Sequence, residues 1–97
     1  MIEARTDAGG RTTIVVHGKF NFACYEEFQR VVGAEARPAY TIDLSHVTYI
    51  DSAALGMLLL LRERVNEDPK RVAIIAGNGQ PADVLRLANF SSLFTMS

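Results

Sequence analysis

The feature that most constrains the fold is an abrupt change of pattern within residues 40–65. Apolar and polar side chains alternate over residues 40–45, which is the period of a β-strand with one buried face. After Asp51 and Ser52 the alternation stops, and leucine, methionine and alanine dominate, which are strong helix formers. The sequence therefore predicts a strand that leads through a short loop into a helix over residues 52–66, with Ser52 at its start.

The rest of the chain divides into short segments of the same two kinds. Alternating or β-branched segments predict further strands at 1–7, 12–17, 71–76 and 93–96. Amphipathic spacing predicts helices at 22–36, capped by Asn21, and at 81–88. This order predicts an α/β fold: a mixed β-sheet with an N-terminal hairpin, then parallel strands, and helices packed against it. The strand ends would then bring together the loops at 19–22, 46–52 and 77–80.

Composition narrows the range of functions. Ninety-seven residues predict a single domain, 1–97, and a net charge of −1 without a basic run argues against nucleic-acid binding. The single cysteine, Cys24, excludes an internal disulfide and fits a reducing compartment. Charged residues near the start (Glu3, Arg5) predict no signal peptide. The longest uncharged apolar run, 53–61, is far shorter than the roughly 20 residues that cross a bilayer. We therefore expect a cytoplasmic protein without membrane insertion.

The role of Ser52 is left open by the pattern alone. The simplest interpretation is that Ser52 or Asp51 caps the helix, because both residue types are preferred at that position. The alternative is a regulated hydroxyl, since the free N–H groups and partial positive charge of a helix start can accommodate a phosphate. The helix behind Ser52 is apolar nearly all round, which predicts an exposed apolar patch for a partner.

Other chemistries find less support in the sequence. A serine-hydrolase elbow is absent, because Ile50 and Ala54 occupy its glycine positions. The two histidines, His17 and His46, show no spacing typical of metal ligands. An aspartyl phosphate at Asp51 is conceivable, but the neighbouring strand ends without the further acidic residues that would hold a cation. We therefore expect a protein that is not an enzyme and needs no cofactor or metal.

One segment resembles a known family signature. Residues 42–56 read I-D-L-S-H-V-T-Y-I-D-S-A-A-L-G, which resembles the STAS-family pattern V-D-L-S-x-V-x-F-x-D-S-S/A-G-L-G. The resemblance extends to the order of elements, to G-K-F-N at 18–21 and to the tail at 88–95. It implies an anti-sigma factor antagonist. Such a protein binds an anti-sigma factor that is also a serine kinase, and a PP2C-type phosphatase resets the switch.

The resemblance also implies which residues act. The phosphorylated serine of the family falls on Ser52. Partner contacts are implied at these positions: Asn21, Asp51, Ser52, Ala53, Leu55, Gly56 and Leu58. Two departures from the family matter: Ala54 stands where glycine is common, and Asn21 stands where aspartate is frequent. We expect Ala54 to tighten the loop or to slow phosphorylation. STAS-like domains also serve as structural subunits of lipid-transport ATPases, a role that would not need a phosphorylatable Ser52.

Elementary electrostatics predicts how such a switch would work. A phosphoserine adds about −1.5 to −2 charge at neutral pH. A partner packed against Ala53, Leu55 and Leu58 would face that charge without water or a counter-ion, which weakens binding. Replacing Ser52 by alanine would remove a helix cap. We also expect the strand at 12–17 to be an exposed edge that could pair with another chain.

Overall fold

The computed structural model describes residues 1–33 and 37–97, which form a five-stranded sheet and three α-helices. The strands are β1 (Ile2–Thr6), β2 (Arg11–Phe20), β3 (Ala39–Ile50), β4 (Val72–Ile75) and β5 (Thr95–Met96). The helices are α1 (Tyr25–Val32), α2 (Ser52–Arg64) and α3 (Gln80–Leu87), with short 3-10 turns at Phe22–Cys24 and Phe90–Ser92.

The strands lie in the order β1-β2-β3-β4-β5. β1 runs antiparallel to β2, and every later pair is parallel. Each parallel pair is joined through a helix, as a crossover connection requires. The predicted fold class, an N-terminal hairpin followed by parallel strands with helices packed against a mixed sheet, is confirmed.

Two strands are longer than the sequence pattern predicted. β2 and β3 continue through segments predicted as connections and end at Phe20 and Ile50. Their parallel pairing shifts register twice, between Val15 and His17 and again after Gly18. Such irregularities break the two-residue alternation on which the prediction relied. The predicted loop before α2 is therefore reduced to Asp51.

The first helix is shorter than predicted. It begins at Tyr25, after the 3-10 turn, and ends at Val32. Gly33 follows at a positive φ of 86° and donates its N–H to the carbonyl of Gln29, which closes the last turn. The predicted helical residues 34–36 lie outside the described residues. The predicted edge at 12–17 is wrong, because β2 is flanked by β1 and β3.

The core lies between one face of the sheet and the three helices. Ile14, Ile42 and Ile74 stand side by side across β2, β3 and β4, and all are fully buried. The residues that alternate with them are half-buried or exposed, so the other face of the sheet is open. The helices contribute further buried side chains: Phe28, Val32, Ala54, Met57, Leu58, Leu61, Pro81 and Leu85.

Candidate partner-binding site

Two neighbouring strands end side by side and each leads directly into a capped helical turn. Phe20 at the end of β2 pairs with Ile50 at the end of β3. The next residues are Asn21 and Asp51. The Asn21 side chain accepts a hydrogen bond from the backbone N–H two residues on, at 3.0 Å. The Asp51 carboxylate accepts one from the N–H three residues on, also at 3.0 Å. Asn21 therefore caps the 3-10 turn Phe22–Cys24 that leads into α1, whereas the residue before α1 itself is Cys24, which makes no capping hydrogen bond through its side chain. This turn and α2 start from one edge of the sheet.

A side chain replaces a missing strand at this edge. β4 pairs with β3 only as far as Asp43, so the end of β3 lacks a strand neighbour on that side. The Gln80 side chain fills the gap: the N–H of Ile50 donates to Oε1 at 2.8 Å, and Nε2 donates to the Ile50 carbonyl at 2.9 Å. Gln80 thus holds the residue directly before Asp51. The sequence placed Gln80 in a loop at this edge, but a lone glutamine carries no signal for this role.

Ser52 is an exposed residue in the first turn of α2, and the helix cap is Asp51. Within the part of the chain that the structure describes, the Ser52 hydroxyl makes no hydrogen bond. The capping interpretation therefore applies to Asp51 and not to Ser52. Ala54 is fully buried in the first turn of α2 and not in a loop, so the expectation that it tightens a loop is wrong. The expectation that it slows phosphorylation stays a prediction.

An apolar surface lies beside Ser52, between α2 and the start of α1. We name it the α1–α2 face and define it by these residues: Phe22, Tyr25, Ala53, Gly56, Leu59 and Leu60. They line a groove of about 480 Å³, with Met57 below. A second hollow of about 410 Å³ continues it between the helices and shares Tyr25 and Leu60. Phe22 is 72% exposed, far more than a buried-core aromatic would be.

The side of α2 that faces outward differs from the prediction at one position. Leu58 is fully buried in the core, so its predicted partner contact is wrong. Leu59 and Leu60 are the exposed members of the leucine run 58–61. A run of identical apolar residues gives no sign of which ones face the sheet. Leu55 is half-buried and packs against the core.

The first part of the family signature has a local structural role on the open face of the sheet. The Asp43 carboxylate accepts hydrogen bonds from the hydroxyl of Ser45 at 2.6 Å and from its N–H at 2.9 Å. Burial raises the pKa of Asp43, but these hydrogen bonds and the nearby His46 and His17 outweigh it, so the pKa lies below its usual value. The two imidazole rings stack with centroids 5.1 Å apart.

Metal-ligating side chains do not gather within residues 1–33 and 37–97. No group of three or more His, Cys, Asp or Glu side chains there could hold a metal ion. The Asp51 carboxylate, considered for an aspartyl phosphate, caps α2 instead. Among the described residues, Asp51 is therefore not part of a group of three or more ligand side chains that could hold the cation of a receiver-type site. None of the described helices has the length and apolar character needed to span a bilayer.

The mixed sheet and its crossover helices define a small α/β fold that solved anti-sigma factor antagonists share. This chain belongs to the STAS domain family: the family model described as "Mlab, STAS domain" matches residues 4–95. The resemblance in the sequence is thereby confirmed.

Similar proteins are found both by sequence and by structure. A STAS-domain containing protein of Pseudomonas aeruginosa (strain UCBPP-PA14) is 34% identical over 93 residues, which cover 92% of this chain and 90% of that protein. An anti-sigma factor antagonist from Mycobacterium paratuberculosis matches 99% of this chain and 83% of its own, with a TM-score of 0.82 and 22% identity. The anti-sigma factor antagonist SpoIIAA, in its unphosphorylated form, matches 100% and 87%, with a TM-score of 0.75 and 10% identity.

Proposed function

We propose that this protein is an anti-sigma factor antagonist, which binds an anti-sigma factor or serine kinase through the α1–α2 face and is switched by phosphorylation at Ser52. The observation that carries the proposal is the position of Ser52. It is exposed, it has no capping task, and it lies one helical turn from Gly56 on the same side of α2. The solved anti-sigma factor antagonists of the same fold support it.

The α1–α2 face supplies the apolar area that a partner needs. Phe22, Tyr25, Leu59 and Leu60 are large apolar side chains left in water, and they are close enough to line one groove and its continuation. Burying one such side chain stabilises a complex by about 1.5–3 kcal/mol before the costs of association. An anti-sigma factor with an apolar surface would therefore bind here, and the protein itself needs no catalysis or cofactor.

A phosphate on Ser52 would act on the complex and not on the fold. Asp51 already places a carboxylate at the start of α2 and takes the N–H of Ala54. A phosphoserine would add about −1.5 to −2 charge beside it. In the free protein, water solvates both charges because Ser52 is exposed. A partner packed on Gly56 would remove that water and leave adjacent like charges, so repulsion would release it. A PP2C-type phosphatase would reset the switch in the cytoplasm.

The modification is tested directly by incubating the protein with its cognate kinase and ATP, followed by mass spectrometry. We expect one phosphate, on Ser52, and none in the Ser52→Ala variant. Ser45 is the internal control, because it is also exposed but its hydroxyl is held by Asp43. If the kinase labels a known relative and leaves Ser52 unmodified, the switch is refuted.

The readout is tested by measuring the affinity of the Ser52→Ala and Ser52→Asp variants for the partner by calorimetry. Ser52→Asp should bind more weakly, and Ser52→Ala should bind as well as the wild type. The free energy of unfolding of both variants should lie within about 0.5 kcal/mol of the wild-type value, because Asp51 and not Ser52 provides the cap. Equal affinity of the two folded variants would refute release by charge.

Two adjacent leucines provide a matched test of the α1–α2 face. Leu59→Ala removes an exposed side chain and should weaken partner binding with little loss of stability. Leu58→Ala empties a buried position and should cost about 2–5 kcal/mol of stability. Unchanged binding by the folded Leu59→Ala variant would show that the partner binds elsewhere.

The alternative role, a structural subunit of a lipid-transport ATPase, predicts a different pattern in cells. That role would use an apolar face but would not need the Ser52 hydroxyl. Full cellular function of Ser52→Ala, together with loss of function in Leu59→Ala, would favour it. Loss of regulation in Ser52→Ala would favour the antagonist.

A further inference from the structure

The outer edge of β1 carries charges that match a second copy of the same strand. β1 is an edge of the sheet formed by the described strands. Glu3 and Arg5 are exposed on it, on either side of Ala4. We infer that two copies of this chain pair antiparallel through β1, with Ala4 on the two-fold axis. Such an interface is self-complementary and closes as a dimer.

The hydrogen bonds of the hairpin determine which backbone groups point outward. The N–H of His17 on β2 donates to the carbonyl of Met1 at 2.9 Å, and Met1 is opposite His17 in the continued register. In an antiparallel pair, alternate residues bond to the neighbouring strand. Odd-numbered residues of β1 therefore bond to β2, whereas Ile2, Ala4 and Thr6 direct their N–H and C=O groups to the open edge.

One of these outward groups already has a partner, and this favours a particular register. The N–H of Ile2 donates to the carboxylate of Glu27 on α1 at 3.3 Å. With Ala4 on the axis, the two Ala4 residues exchange a pair of hydrogen bonds. The N–H of each Thr6 then donates to the Ile2 carbonyl of the other copy. The bond from Ile2 to Glu27 stays intact, and all five residues of β1 are paired.

The same register places opposite charges face to face. Glu3 of each copy stands across from Arg5 of the other, at a position without backbone hydrogen bonds, where Cα atoms are about 4.5 Å apart and side chains approach most closely. Both residues lie on the open face of the sheet, so no helix separates them. Glu3 also contacts Nε2 of His17 at 2.9 Å, but through Oε2 alone, so Oε1 is left for Arg5 of the other copy. A two-fold axis at Thr6 would instead use Asp7, whose carboxylate already accepts two backbone N–H groups of the turn.

Charge reversal tests the pairing in sedimentation equilibrium over a wide range of protein concentration. Glu3→Arg alone and Arg5→Glu alone each create like-charge pairs, and each should weaken the dimer by about tenfold or more. An equimolar mixture of the two variants should form a heterodimer, because every cross-strand pair is again opposite in sign. The double variant Glu3→Arg/Arg5→Glu should dimerise like the wild type.

A backbone variant gives an independent check. Ala4→Pro removes an outward N–H and leaves the hydrogen bonds to β2 in place, so the chain should fold, as thermal melts will verify, and stay monomeric. Any one of four results would overturn the inference. The wild type could be monomeric at every concentration, or the single variants could dimerise as strongly as the wild type. The mixture of the two single variants could fail to form a heterodimer, or the Ala4→Pro variant could be dimeric. None of these outcomes involves the α1–α2 face, so the proposed function is tested separately.

Discussion

Replacing Gly56 by alanine should make the protein more stable and worse at binding. Gly56 lies in the interior of α2, where glycine costs about 0.8–1.0 kcal/mol relative to alanine. Apart from its chain neighbours and the backbone of α2 itself, no atom lies within 4 Å of a Cβ placed on Gly56, so the new methyl causes no clash. The full propensity difference should therefore appear as stability. For a domain of this size, 1 kcal/mol corresponds to a rise in Tm of about 4–8 °C.

Gly18 offers a matched control for this prediction. A Cβ there also meets nothing within 4 Å, but Gly18 has a φ of +79°. An L-residue in that left-handed region costs roughly 1–2 kcal/mol. The same chemical change, Gly to Ala, should therefore lower the Tm at Gly18 and raise it at Gly56. Because both sites have room for a methyl group, the comparison isolates the effect of backbone conformation on stability.

Urea denaturation and thermal melts of the Gly56→Ala and Gly18→Ala variants provide the measurement. A Gly56→Ala protein no more stable than the wild type, or a shift of the same sign in both variants, would refute the reasoning. Calorimetry with the partner adds a second readout. The methyl at residue 56 occupies the groove of the α1–α2 face, so the affinity should fall while the stability rises.

Three further outcomes follow from hydrogen bonds at and near the site. Gln80→Ala should lower the free energy of unfolding in urea by about 1–3 kcal/mol, because both backbone groups of Ile50 lose their partner; unchanged stability would show that water replaces the amide. Asp51→Ala should cost about 0.5–2 kcal/mol in the same assay and Asp51→Asn clearly less, since asparagine also caps; equal losses would argue against the cap. In an NMR titration the Asp43 pKa should lie below its usual value and rise in Ser45→Ala. The pKa of Asp43 is lower in the folded state than in the unfolded state, where it is about 3.9. Ionised Asp43 therefore stabilises the fold above the unfolded pKa, and this contribution is lost as the pH falls through the folded pKa. Asp43→Asn should accordingly make the free energy of unfolding depend less steeply on pH in the acid range.

The sequence predicted the kinds of elements better than their lengths. The strand-to-helix change before Ser52 was visible because the period of the pattern and the residue types change together. The last residues of β2 and β3 were missed because the register shifts near His17 disturb the alternation. The end of α1 at Val32 was missed because the helix end was assigned to Arg37 and Pro38, although Gly33 is itself a signal for a helix C-terminus.

The parts of the candidate site that were predicted correctly are those where the residue type has a well-defined local role, such as helix capping. Asn21 caps the turn that follows β2, as its position after a strand indicated. Leu58 was predicted at the partner surface and Leu59 was not, because the orientation of α2 against the sheet cannot be read from a run of leucines. The role of Gln80 depends on α3 and β3 meeting in space, a contact between residues thirty positions apart.

The paired strand ends have a consequence for the speed of recognition. Asn21 and Asp51 start their helical turns from adjacent residues of one sheet, and Gln80 braces the second start. The groove between α1 and α2 is therefore already shaped before any partner arrives, so association does not wait for a conformational change. Changes to the partner interface should appear mainly in how long the complex lasts and only slightly in how fast it forms.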